Sequence, residues 1–434
     1  MKKIFTNRNF SLIFFGNLVS SIGSILYAFA IGWYILEVTG SALQAGIYMM
    51  IGSAIAVILT PIAGVIADRF NKVKLIVWTD ILRGIVVLFA AFVISGGLSV
   101  ENQMTTLFIC AALLGIGSSL FGPAVSSLQT EVVPQKELQS ANATLSLINS
   151  IQGIVGIALG GFLYALLGVK WVFIINGLSF IFSGISEMFI KHPFEPREAR
   201  MTVKNVGSDF AEGFKYLKSI KGLFALLLGS LLLNFAFVPI LGNGLPYLFN
   251  QIIKTSPVYF SFVEISVSIG TLIGGILVGN LSRNLPVRKT AVSGLILMAV
   301  FISIVTGITV MIINGQIQFS IFYIIFLITM FAFGFTNLLV NIPLNTAIIK
   351  AINPAYRGRA FGALRTLSMG LTPLAMLIGG IAIDYGSIII LFISCLALII
   401  FVIIYLVVNP KVQIFYKVME DVNKNENEGL ATAS

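Results

Sequence analysis

Charge is what this sequence has least of. Only 10% of its 434 residues are Asp, Glu, Lys or Arg, against about 25% in a soluble globular domain. So little charge cannot cover the surface of a folded soluble domain, so lipid must cover most of this one. Histidine is reduced to His192, in a charged segment next to Pro193. The two cysteines, Cys110 and Cys395, both lie in apolar runs with no second cysteine or histidine at ligand spacing. These scarcities argue against a disulfide, a metal site and histidine-based nucleophilic catalysis. A Gly-x-x-x-x-Gly-Lys-Ser/Thr sequence is missing, as is a polar domain to hold nucleotide, which argues against an ATP-driven pump. No catalytic cluster stands out among the sparse polar groups, so neither enzymatic activity nor a cofactor is expected.

Apolar residues fill the space, at 57% of the chain and a mean hydropathy of +1.00. A helix crossing about 30 Å of hydrocarbon needs about 20 such residues. Runs of that length predict spans at 10–36, 42–67, 74–95, 104–128, 140–167 and 170–190. After a charged stretch, six more follow at 222–249, 257–281, 288–313, 319–347, 360–383 and 387–408. The first run is too long for the apolar region of a signal peptide, so it reads as a retained span. The net charge of +10 is unevenly placed. Basic residues gather before the first span, after each even-numbered span and in the central segment, while the opposite loops hold only Lys170 and Lys254. The positive-inside rule then puts both termini in the cytoplasm and explains the basic balance without nucleic acid.

Landmarks recur at about half the chain length. Gly64-x-x-x-Asp68-Arg69 after the second span has a counterpart in Gly279-x-x-x-Arg283-Asn284 after the eighth. Pro123 and Pro134 match Pro343 and Pro354, and Gly160-Gly161 matches Gly379-Gly380. Such order predicts two six-helix halves, 1–190 and 222–408, joined by a linker over 191–221 and followed by a tail over 409–434. In the linker, Phe210, Phe214, Tyr216 and Leu217 alternate with charged residues, as in a short amphipathic helix that links the halves and binds nothing specific. The polar tail reads as disordered.

The run Gly64-x-x-x-Asp68-Arg69-x-x-Lys72-x-Lys74 resembles the loop signature of the major facilitator transporters. Asp80-Ile-Leu-Arg83 and Arg357-Gly-Arg-Ala-Phe-Gly362-x-x-Arg365-Thr366 are similar to their bacterial drug-efflux branch, which includes macrolide exporters and the enterobactin exporter. The resemblance implies an all-α integral membrane protein of twelve transmembrane helices, two six-helix repeats, in the bacterial cytoplasmic membrane. It further implies export of hydrophobic or amphipathic small molecules by proton antiport, through rocking of the halves, in a monomer embedded in lipid. A metabolite or siderophore exporter, an importer of the same fold and a non-transporting membrane sensor are the alternatives.

In that family the loop signature helps to close the cytoplasmic side. Gly64, one turn before Asp68, is expected to permit close helix approach. Asp68 can meet the positive end of a neighbouring helix, and Arg69 can pair with a carboxylate such as Glu131. Lys72, Lys74 and Arg365 complete the expected gate. The second copy lacks the acid and is expected to be structural only.

Ionisable groups inside a bilayer are costly and functional by default. Asp80 and Arg83, one turn apart, suit a self-satisfied ion pair. Glu264, about seven residues into the eighth span among Phe260, Phe262 and Val263, is placed to bind and release a proton. Asn17, Asn149, Asn234, Asn337 and Asn341, with the aromatics Tyr27, Phe121 and Phe237, are the candidates for a substrate cavity. The asparagines could equally be interhelical hydrogen-bond partners, worth roughly 0.6 kcal/mol each.

Gly153-x-x-Gly156-Ile157-x-x-Gly160-Gly161 is similar to the antiporter motif of exporters, with Ile157 where that motif has proline. The glycines, with Gly379 and Gly380, are expected to allow tight packing. The proline-induced distortion is expected to be absent. The fourth span also lacks the buried arginine of many proton-coupled exporters.

Overall fold

A computed structural model describes residues 5–137, 141, 144, 152–192, 203–281, 286–353 and 356–419. Helices account for nearly all of them, and no strand occurs among the described residues. In lipid every backbone N–H and C=O must be satisfied within the chain, and a helix does this in each apolar run separately. The helices are α1 Arg8–Thr39, α2 Ala42–Arg69, α3 Lys72–Ser95 and α4 Val100–Val132. Then come α5 Gln152–Leu167, α6 Val169–Glu187 and α7 Val203–Ser219. The second half adds α8 Leu223–Ile252, α9 Pro257–Leu281, α10 Val287–Ile313, α11 Phe319–Ala351, α12 Arg357–Met369, α13 Thr372–Asp384 and α14 Ile388–Val408. A last helix, α15, covers 410–419.

Among the described residues, eleven segments are long and apolar enough to cross a bilayer, α12 and α13 counting together as one, and α5 is a shorter apolar helix. The predicted fifth span, 140–167, is described as a continuous helix only from Gln152. Polar residues start the helices where apolar runs begin. Asn7, Ser41, Asn71, Ser99 and Ser387 each accept a hydrogen bond from a first-turn N–H, satisfying donors that the helix itself leaves unpaired. Lipid-facing positions keep large apolar side chains exposed, Phe92 at 71% and Phe182 at 63% among them.

The described chain forms two compact units. Unit 1 contains residues 1–206 together with Gly242–Ile265 and Thr372–Asp384, and unit 2 the remainder. Within unit 1, polar side chains hold these two later segments against the ends of α1 and α2. Asn243 Nδ2 donates to the carbonyls of Ala42 and Met376, at 3.3 and 3.2 Å. Asn250 and Gln251 donate to the Trp33 and Leu36 carbonyls. Asp384 accepts from Ser41 Oγ at 2.5 Å and from the N–H groups of Ala42 and Leu43 at 2.8 and 3.1 Å, a carboxylate on the positive end of α2. Asp384→Ala should weaken this attachment by roughly 1 kcal/mol. Hydrogen exchange should then accelerate over 372–384 and the first turn of α2, while α3 and α6 stay unchanged.

Within unit 2 the linker helix is not an idle connector. Glu212 pairs with Arg359 at 2.9 Å, the Tyr216 ring stacks on Tyr356 with centroids 4.4 Å apart, and the Tyr216 hydroxyl accepts from the Asn353 N–H at 2.9 Å. Through these contacts α7 docks on the residues that join α11 to α12.

Candidate functional site

The most polar interior of unit 1 is built around α3. Asp80 and Arg83 form the ion pair their spacing predicted, fully buried and 6% exposed. The guanidinium lies between two rings, 4.2 Å from the Phe121 centroid and 4.5 Å from that of Phe180, where its charge meets the negative ring faces. Glu187 at the end of α6 joins them. It is 1% exposed, accepts from Ser183 Oγ at 3.3 Å and is in electrostatic range of both Asp80 and Arg83. The end of α6 thus brings Glu187 to the Asp80–Arg83 pair.

One face of this cluster opens on a cavity of about 240 Å³, walled by α1, α2, α3, α4 and α6. Tyr27 and Tyr48 share a hydroxyl–hydroxyl bond of 2.8 Å there, and Ser24, Ser118, Arg83 and Asn176 complete the polar lining. Arg83 Nε and Asn176 Nδ2 have no hydrogen-bond partner among the described residues. Both atoms are fully enclosed, and an unpaired buried donor costs about 1–3 kcal/mol. Chemically this is a neutral-to-cationic, donor-rich pocket for an oxygen-bearing apolar group.

The remaining predicted residues fall as follows. Asn17 accepts from Ser21 Oγ at 2.9 Å on α1, and Phe121 serves as the floor under Arg83. In unit 2, Asn234 donates to the Ser230 carbonyl at 3.2 Å, Asn341 to Asn337 Oδ1 at 2.8 Å, and Phe237 meets Phe333 edge-on at 5.5 Å. Asn149 lies outside the described residues. Glu264 is half-buried one turn beyond Phe260, whose ring packs with Phe29, Trp33 and Phe249 at 5.7–5.9 Å.

At the α2–α3 turn, Glu131 takes Lys72 at 3.2 Å and His192 at 3.1 Å. His192 is thus part of this cluster, which the sequence did not indicate. Arg69 and Lys74 are exposed. The side chains of Asp68 and Arg365 lie outside the described set. A Cβ on Gly64 would meet nothing within 4 Å, so the close approach expected there is not made by the described residues.

The glycine motif of α5 divides. Gly156, Gly160 and Gly161 do pack tightly, with a Cβ on each falling 2.9 Å from Ile25, 3.2 Å from Phe29 and 2.5 Å from Ser261. Gly380 meets the Ala42 carbonyl at 2.7 Å, and Gly379 is buried. A Cβ on Gly153 would meet nothing within 4 Å among the described residues. The helix is also distorted despite the missing proline, because Gln152–Gly156 is π-helical. A π turn widens the helix by one residue, and the small side chains there let it.

An all-helical, multi-pass membrane protein with a buried ion pair beside a small cavity is built like a transporter. The sequence pattern of the Major Facilitator Superfamily matches residues 13–246. The chain belongs to that superfamily. It is 28% identical to macrolide efflux protein A of Streptococcus pyogenes over 86% of this chain and 89% of that one. Similarity to the multidrug efflux pump Tap of Mycolicibacterium fortuitum is 23%, over 85% and 88%. Among solved structures, a bacterial homologue of the iron transporter ferroportin in an inward-facing state superposes with a TM-score of 0.73 at 16% identity, over 92% of this chain and 98% of that one.

Proposed function

We propose that the chain is a twelve-span exporter of hydrophobic or amphipathic small molecules, macrolides among them, driven by proton entry across the bacterial cytoplasmic membrane. Both termini are cytoplasmic in this reading, α5 and the residues before it form the fifth span, and the halves 1–190 and 222–408 rock about a midplane site. The observation that carries it is the donor-lined cavity beside Arg83. An apolar molecule bearing carbonyl or ether oxygens would satisfy Arg83 Nε and Asn176 Nδ2 while its hydrocarbon meets the aliphatic wall. The names of the sequence relatives support the same substrate class.

Two carboxylate sites serve the proton. Glu264 gains and loses it as access alternates, and the Asp80–Arg83 pair links occupancy of the cavity to charge on α3. The α2–α3 turn, with Gly64, Asp68, Arg69, Lys72, Lys74, Glu131 and Arg365, closes the cytoplasmic side. The test is accumulation of a labelled macrolide in cells overproducing the chain. Accumulation should fall several-fold against vector alone and recover when a protonophore collapses the gradient. Glu264→Gln should bind the macrolide but lose gradient-driven export. Export that persists without the gradient removes the coupling, and unchanged accumulation of every macrolide tested removes the substrate class.

A further inference from the structure

At the start of α10 two cations stand where anions belong. The unpaired N–H groups of a helix N-terminus carry partial positive charge, and acidic residues are the stabilising choice there. Here Pro286 leads into the helix without a capping side chain, and Arg288 and Lys289 occupy the first turn. A third cation, Lys417, comes from α15. The three line one cavity of about 880 Å³ in unit 2, and none of its described lining residues is acidic.

Tyr416 lines the same cavity. It is 1% exposed, and its hydroxyl has no hydrogen-bond partner among the described residues. Burial pushes this hydroxyl up to about 12, against the opposing charge of Arg288, so it keeps its proton and stands as a donor. The neighbouring Gln413 is engaged elsewhere, its Nε2 donating to the Leu406 and Val407 carbonyls at 3.0 and 2.6 Å. The hydroxyl of Ser293 is likewise engaged, donating to the Thr290 carbonyl at 3.1 Å, and the rest of the described wall is apolar. Val292, Ile296 and Val407 lead away from the cations along α10 and α14, and Ile296 is 48% exposed on a spanning helix.

We propose that this cavity binds the headgroup of an anionic phospholipid. The phosphate sits on the α10 N-terminus between Arg288, Lys289 and Lys417 and accepts from the Tyr416 hydroxyl. The acyl chains follow the apolar wall into the bilayer. Charge alone would serve free phosphate equally well. The amphipathic lining, basic at one end and aliphatic at the other, selects the lipid.

The full chain, purified in neutral detergent, is titrated with phosphatidylglycerol, phosphatidylcholine or inorganic phosphate. Bound lipid is counted by native mass spectrometry and the unfolding midpoint is followed in parallel. Phosphatidylglycerol should be retained and should raise the midpoint; phosphatidylcholine should do neither. The double variant Arg288→Gln with Lys417→Gln should lose at least tenfold in phosphatidylglycerol affinity. Tyr416→Phe should lose about tenfold, the weight of one hydrogen bond to a charged acceptor. Arg288 and Lys417 are solvent-exposed, so the lipid-free midpoint of the double variant should match wild type. Equal retention of the two lipids, or undiminished binding by the double variant, overturns the site. Displacement of phosphatidylglycerol by an equal concentration of inorganic phosphate overturns the lipid assignment.

Discussion

Arg83→Met should lower the stability of the chain by about 3–5 kcal/mol, while Asp80→Asn should cost clearly less. Removing one partner of a buried pair leaves the other charge uncompensated, and that is where the penalty comes from. Around α3 two carboxylates share one guanidinium, since Asp80 and Glu187 are both buried near Arg83. Without the cation, both acids are left in a medium that solvates neither, and the rings of Phe121 and Phe180 lose the charge they enclose. Without Asp80, Arg83 can still turn to Glu187, so its charge keeps a partner. The double change Asp80→Asn with Arg83→Met should recover part of the loss, leaving only Glu187 to be neutralised by a proton. Thermal unfolding in detergent, with the yield of folded protein from membranes, orders the three variants. Equal losses for both single variants would mean that Glu187 gives Arg83 no support.

How much of this was legible beforehand divides along a physical line. Span positions are fixed by bilayer thickness and by residues adjacent in the chain, so hydropathy located eleven of the predicted spans to within a few residues, the fifth lying partly outside the described residues. The Asp80–Arg83 pair was legible for the same reason, because i,i+3 spacing on one helix needs no knowledge of neighbours. Glu187, Asn176, Tyr48 and Asn243 were not. Their partners lie on other helices, and a helix that is apolar on every side does not announce which face it turns inward. The α5 distortion was missed because proline was taken as its only source, whereas a π turn needs no proline. At Gly64 the described residues make no close approach, and a glycine permits one without requiring it. The same blindness hid the tightest crossings in the molecule, although Gly270-x-x-x-Gly274 is a small-residue pattern that could have been read.

That crossing supplies the second large effect. Gly270→Ala and Gly334→Ala should each destabilise unit 2 by about 1–3 kcal/mol or more, as overpacked cores do. A Cβ on Gly270 would fall 2.0 Å from the Phe331 carbonyl oxygen, and one on Gly334 2.2 Å from that of Val267. These are backbone atoms on facing helices, so no side chain can rotate away and α9 and α11 must move apart. Separation also loses the bond from Thr271 Oγ1 to the Gly334 carbonyl, 3.3 Å in the native packing. The two changes should not add. Once one methyl has spread the helices, the second finds room, so the double variant should be less damaged than the sum. Gly307→Ala on α10 is the control, because a Cβ there meets nothing within 4 Å. It should be neutral or slightly stabilising through the better helix propensity of alanine. Unfolding midpoints measured in one detergent decide the matter: if Gly270→Ala behaves like Gly307→Ala, α9 and α11 do not pack backbone to backbone.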